Sequence, residues 1–230
     1  MTDASGLSTS QLISELESRL SYNLLCEFTS EQLEDYKAKF EYFKKTNSNK
    51  TYSTAAKGKA LESLVTSLLS SSGGLFNVIE NLHSSTNEID QLVSLKKEKQ
   101  FLTDIKKDEP VSTFKKYERF ICECKNYGKS VGVTYVGKLI GLMTTHNVKF
   151  AILFSYHGIT GKAGSWKDSE GLIKKYYLSR ENESDRPCII DFNCKDFEHI
   201  LNGGNFLEII DSKIDALRFD TDYRNFLKKK

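Results

Sequence analysis

The stretch Phe120-Ile121-Cys122-Glu123-Cys124-Lys125 constrains this chain more than any other. It reads as a strand, and strand side chains alternate between faces. Glu123 and Lys125 then share one face, about 6.5–7 Å apart along the strand, with Ile121 beside them. Cys122 and Cys124 point the other way. An acid and an ammonium on an apolar, interior-type strand need a partner that answers both charges. A divalent cation beside a phosphate group does so. Upstream, Asn87-Glu88-Ile89-Asp90 carries a similar polar–apolar alternation, and Asp90 is placed to supply a second carboxylate.

Around that strand the periodicity predicts alternating helices and strands. Leu12, Ile13, Leu16 and Leu20 recur at helical spacing. Leu33, Tyr36, Phe40 and Phe43 do the same after Thr29 or Ser30, which together predicts an N-terminal helical hairpin. The polar run Thr46–Thr54 reads as a linker. Leu61, Leu64, Val65, Leu68 and Leu69 mark an amphipathic helix. Short strands follow at Leu75–Ile79, Glu88–Leu95 and Phe120–Lys125, with Lys96–Lys116 as a charged excursion. Then come a helix over Val131–Met143, an interior strand at Phe150–Phe154, a helix over Ser165–Leu178, a strand at Cys188–Phe192, and helices over Phe197–Leu201 and Phe206–Phe219. This order argues a mixed α/β core flanked by helices.

Composition excludes several alternatives. No apolar run approaches the roughly 18 residues that a membrane span needs. Met1–Ser5 lacks the basic and apolar regions of a signal peptide, so a cytoplasmic location is expected. The five cysteines are scattered and lack a C-x-x-C pair, as expected of buried free thiols. A net charge of +2 is too small to argue for or against nucleic acid.

An acid-x-base pair alone is weak, since chance supplies about four in a chain of this composition. Context raises Glu123-Cys124-Lys125: the pair ends an apolar strand, an acid lies on a neighbouring strand, and Asn126-Tyr127-Gly128 turns the chain at once. A helix bearing Glu62 (Lys57–Val65), a strand with Asp90, a strand with Glu123-x-Lys125 and a following helix (Val131-Gly132 to Leu139-Ile140-Gly141) resemble the PD-(D/E)XK nuclease superfamily. The finer pattern, including Ala151–Ser155, resembles its Mrr-like, type IV restriction branch. The likeness covers about residues 57–165 and continues weakly to 217. The family's proline is missing, since Ile89 precedes Asp90, and the connection between the Asp and Glu strands is long.

That resemblance implies a restriction-endonuclease-like mixed β-sheet core over residues 55–220. Residues 1–50 have no counterpart in that resemblance; read from periodicity, they are a helical region that would serve dimerisation or contact DNA or a protein partner, and 221–230 would be a basic tail. The resemblance implies a Mg2+-dependent DNA endonuclease, with Mn2+ as a substitute, acting on double-stranded DNA in restriction or antiviral defence, and a homodimer. Asp90, Glu123 and Glu62 would be metal-binding carboxylates. Lys125 would orient the attacking water or stabilise charge on the phosphate. The alternative is a catalytically silent DNA-binding or interaction module on the same fold.

Each residue also has a plainer reading. Glu62 alone suits a solvated helix face, Asp90 a turn cap, and Glu123 with Lys125 an in-strand ion pair. Glu88 shares Asp90's strand face and reads as a neighbour of the site. Lys129, Lys138 and Lys162 are candidate DNA contacts. His157–Lys162 has the wrong spacing for a phosphate loop, since Ala163 follows the lysine. The lysines of the 96–116 excursion read as a solvated loop or as a basic flap. Trp166, Tyr176 and Tyr177 are expected to pack rather than stack on bases. His83, His146, His157 and His199 show no ligand spacing.

Overall fold

A computed structural model describes residues 26–83, 88–103, 115–161, 168–182 and 185–227. The expected first helix of the N-terminal hairpin, Asn87, Lys106-Lys107, Lys162, Trp166 and Lys228–Lys230 lie outside the described residues.

Helix α1 (Ser30–Ser48) begins at a capping box. Thr29 Oγ1 accepts from the Gln32 N–H at 3.2 Å, and the Gln32 side chain accepts from the Thr29 N–H at 2.9 Å. The box rests on a glutamine at the third helical position. The helix also outlasts the expected linker start at Thr46. Thr46 Oγ1 and Asn47 Nδ2 both donate to the Phe43 carbonyl, which holds the last turn together. Residues 49–53 then lead into α2 (Thr54–Ser71), where Ser53 Oγ accepts from the Ala56 N–H.

Five strands follow: β1 (Phe76–His83), β2 (Glu88–Leu95), β3 (Arg119–Lys125), β4 (Phe150–Ser155) and β5 (Cys188–Phe192), in the spatial order β1-β2-β3-β4-β5. The first three pair antiparallel and the last three parallel, so β3 is where the sheet changes direction. β1 runs past its expected end at Ile79. Its outer half is exposed and polar, but pairing down to His83–Glu88 carries it. Every residue of β4 is buried, as an apolar strand in the sheet's interior, between β3 and β5, should be.

Alternation along the strands divides the apolar residues between two faces. Phe120, Cys122 and Cys124 face a large cluster with α1, α2, α5 (Cys194–Leu201) and α6 (Phe206–Phe219). Ile121, Ala151, Leu153 and Ile189 face a smaller cluster with α3 (Val133–Thr145) and α4 (Asp168–Tyr177). Tyr36, Phe40 and Phe43 of α1 are buried in the first cluster, and the Tyr36 hydroxyl donates to the Phe197 carbonyl at 2.9 Å. All five cysteines are free, and Cys194 alone is less than fully buried. No helix among the described residues is long and apolar enough to cross a membrane.

Candidate active site

The β2–β3 ladder pairs Ser94 with Arg119 and runs to Gln91–Cys122, where it stops. One step further the same register sets Asp90 against Glu123. There the Asp90 side chain takes over from the backbone: its Oδ2 accepts from the Cys124 N–H at 2.7 Å. Lys125, on the same face of β3, closes the group. Its Nζ lies 2.6 Å from Glu123 Oε1 and 3.3 Å from Asp90 Oδ2. It also donates to the Cys124 carbonyl at 3.3 Å. The side chains of Lys125, Asp90 and Glu123 keep only 21%, 16% and 13% of their exposure.

Two acids and one ammonium in so little water are out of balance. Burial and the Asp90 charge raise the Glu123 carboxyl above the usual carboxylate range, against the pull of Lys125. Burial acting alone would lower Lys125. Glu123 and Asp90 overcome it and hold the ammonium above the usual lysine range. Glu123 Oε2 is buried and has no hydrogen-bond partner. A buried carboxylate oxygen left unpaired is costly, and it faces a deficit of positive charge.

Glu62 of α2 is within electrostatic reach. Burial and Asp90 raise its carboxyl, and Lys125 opposes them. Glu88 is exposed and pairs loosely with His83 at 3.9 Å, and its charge is felt at Glu62 and Glu123. Among the described residues, no three His, Cys, Asp or Glu side chains form a ready metal cage. The chemistry of the donors still fits a hard cation that keeps several of its own waters, such as Mg2+. The two strand carboxylates and the orphaned Glu123 oxygen are what such an ion would take.

Two residues that the sequence did not single out hold α2 to the site. Gln91 is 1% exposed, and its Nε2 donates to Thr66 Oγ1 at 2.9 Å and to the Glu62 carbonyl at 3.4 Å. Asn126 Nδ2 donates to the Lys57 carbonyl at 2.7 Å. The sequence signal was their position, each one residue beyond a charged site residue: Gln91 on the opposite face of β2 from Asp90, and Asn126 just past the end of β3. A third group, Lys213–Asp196 at 2.9 Å with Tyr223 donating to Asp196, ties the C-terminal segment beneath β5.

The basic candidates divide. Lys129 and Lys138 are exposed beyond β3, with Lys138 5.8 Å from the Tyr135 ring centroid. In the excursion, Lys116 turns inward to pair with Asp211, so it is not a free phosphate contact. Tyr177 is buried as expected.

Residues 54–174 match the family model described as restriction endonuclease, the Mrr catalytic-domain family. The chain belongs to this restriction endonuclease family. The match spans both acidic strands, Lys125 and the Glu62 helix, and the mixed five-stranded sheet with six described helices has the restriction-endonuclease-like architecture. No curated protein and no solved structure gives a significant match.

Proposed function

We propose that this restriction endonuclease family member is a Mg2+-dependent DNA endonuclease that hydrolyses phosphodiester bonds at Asp90, Glu123 and Lys125. The observation that supports it is the Lys125 ammonium set between the Glu123 and Asp90 carboxylates of adjacent strands. A structural ion pair needs one acid for one base. Here a second acid is held in place by a main-chain hydrogen bond.

Asp90 and Glu123 would hold the cation, with Glu62 beside them. When bound, the ion supplies a water made nucleophilic at neutral pH and a positive charge for the developing oxyanion. Lys125 then stands within reach of the group being attacked. Its raised pKa keeps it charged, so it acts as an electrostatic clamp on the phosphate and not as a base. Asp90, fixed at Oδ2 by the Cys124 N–H, is held beside Glu123 and Lys125 without reorganisation.

Lys129, Lys138 and Lys162 would contact the DNA backbone. Cutting both strands takes two such sites, so a two-fold homodimer is part of the proposal, and hydrodynamic mass tests it. Residues 1–50 would contribute to that interface or to a protein partner. Restriction of foreign or modified DNA is the role this chemistry suits.

The decisive experiment incubates supercoiled plasmid with the full chain and Mg2+ or Mn2+. Nicking or linearisation lost in Asp90→Ala and Lys125→Ala is the expected result. DNA binding without any cleavage would point instead to a silent binding module.

A further inference from the structure

After Lys125 the chain leaves the sheet and forms a hydrogen-bonded loop before α3. The Val131 N–H donates to the Gly158 carbonyl at 2.8 Å, and the Thr160 N–H donates to the Val131 carbonyl at 3.0 Å. Ser169 Oγ donates to the Val131 carbonyl at 2.8 Å, and Ser130 Oγ to the His157 carbonyl at 3.3 Å. Gly158 adopts a φ of +73°, the left-handed region, at the centre of this lacing.

The result is a cleft of about 560 Å3 between the loop and the first turn of α3. Its side chains are the Lys129 ammonium, the Thr134 hydroxyl, the phenols of Tyr127 and Tyr135, and Ser130 and Thr160, whose hydroxyl protons already go to the His157 carbonyl and to Ser169 Oγ. Among the described residues, no carboxylate lines it. The Tyr127 and Tyr135 rings lie 5.1 Å apart, tilted by 36°. A base sandwiched between two rings needs about 7 Å. The pair therefore offers hydroxyls to a ligand, not a stacking slot. Burial and the Tyr135 hydroxyl hold the Tyr127 phenol above its usual range, so it remains a donor.

We propose that this cleft seats the sugar–phosphate backbone of the strand being cut, at a phosphate flanking the scissile one. The proposal rests on the nuclease reading above and adds to it a place where the DNA is gripped. The catalytic end presents Asp90, Glu123 and Glu62, which repel a polyanion. The neighbouring cleft presents one cation, the Thr134 hydroxyl and the Tyr127–Tyr135 phenol pair, groups that bind phosphate without reading sequence. Tyr127 is joined to Lys125 through Asn126 alone, and the Lys125 and Glu123 charges both act on its phenol. A backbone held in the cleft is thereby carried past the catalytic lysine.

The test measures binding of a short fluorescent duplex to the full chain by anisotropy, with Ca2+ in place of Mg2+. Lys129→Ala should weaken binding and reduce the slope of log affinity against log salt by about 0.9, the loss of one phosphate contact. Tyr127→Phe with Tyr135→Phe keeps the ring contact, should weaken binding about tenfold and should leave the slope unchanged. Duplexes carrying one neutral methylphosphonate at a time then locate the phosphate. One position near the cut should weaken the wild type and leave Lys129→Ala unaffected. A wild type that neither binds nor nicks DNA sinks the nuclease reading itself. A wild type that binds and nicks, while both variants keep its affinity, slope and methylphosphonate pattern, overturns the cleft assignment alone.

Discussion

Asp90 Oδ2 accepts the Cys124 main-chain N–H at 2.7 Å, at the point where the β2–β3 ladder has ended. The acid of one strand thus continues the pairing of the next, and its carboxylate is both structural and chemical. Asp90→Ala leaves the Cys124 N–H without its acceptor and should cost about 1–3 kcal/mol of stability. Asp90→Asn keeps an acceptor oxygen and should cost less, although both variants should lose Mg2+-dependent nicking. Urea unfolding beside a plasmid assay separates the two roles. Equal stability of the two variants would show that the strand lock is unimportant.

Among the described residues, Lys125 is the one cation in contact with both carboxylates. Removing it leaves two acids facing each other in a poorly hydrated site. Breaking a buried pair costs about 3–5 kcal/mol, and partial exposure here reduces that to about 1–3 kcal/mol. Lys125→Ala should therefore be less stable than the wild type and inactive. Mg2+ should raise its melting temperature more than the wild type's, because the cation replaces the missing charge. Differential scanning calorimetry with and without Mg2+ checks this.

The raised carboxyls of Glu123 and Glu62 give stability a pH dependence of definite sign. An acid whose folded pKa exceeds its unfolded value binds more protons when folded. Metal-free stability should then fall as pH rises from the ordinary carboxylate value through the raised one, and level off above it. Mg2+ binds the deprotonated form, so its stabilising increment should grow across the same window. Thermal melts from about pH 4 to 8, with and without Mg2+, measure both trends. Glu123→Gln should flatten them, and an increment independent of pH would contradict the assignment.

Gln91 turns away from the acids into α2, donating to Thr66 and to the Glu62 carbonyl, while its own Oε1 is buried without a partner. Gln91→Leu removes that orphan along with the tether, so stability should stay within about 1 kcal/mol. The α2 helix that carries Glu62 would then be less firmly placed. The Mg2+ concentration for half-maximal nicking should rise about 10–100-fold. An unchanged Mg2+ requirement would remove Gln91, and the α2 tether with it, from the site.

Much of this was legible from residue order. Alternation in Phe120–Lys125 placed Glu123 and Lys125 together, and the apolar run Phe150–Phe154 marked an interior strand. Both signals are local, because burial on a strand writes itself at period two. Three features were not legible. The outer half of β1 is polar and exists through pairing with β2. The capping box at Thr29 closes through Gln32, and Ser30 was as good a cap by residue type. The partnership of Asp90 with Cys124 depends on register across a long connection, which no local pattern encodes.

The same limit bears on the N-terminal region. The sequence sets residues 1–50 apart, and the polar run after Thr46 looks like a linker. Yet Tyr36, Phe40 and Phe43 are at most 1% exposed, in one cluster with Leu61, Phe154 and Phe197. Truncating a buried aromatic residue to alanine costs about 3–5 kcal/mol, and domains are stable by only about 5–15 kcal/mol. Removing α1 takes away three such side chains at once. A chain starting at Thr54, although it contains the whole family match, should therefore be insoluble or molten. Tyr36→Phe, which loses only the hydrogen bond to Phe197, should cost about 1 kcal/mol and keep activity. Circular dichroism and nicking by the truncated chain decide the matter. A folded, active fragment would show that α1 is an appendage and not part of the nuclease core.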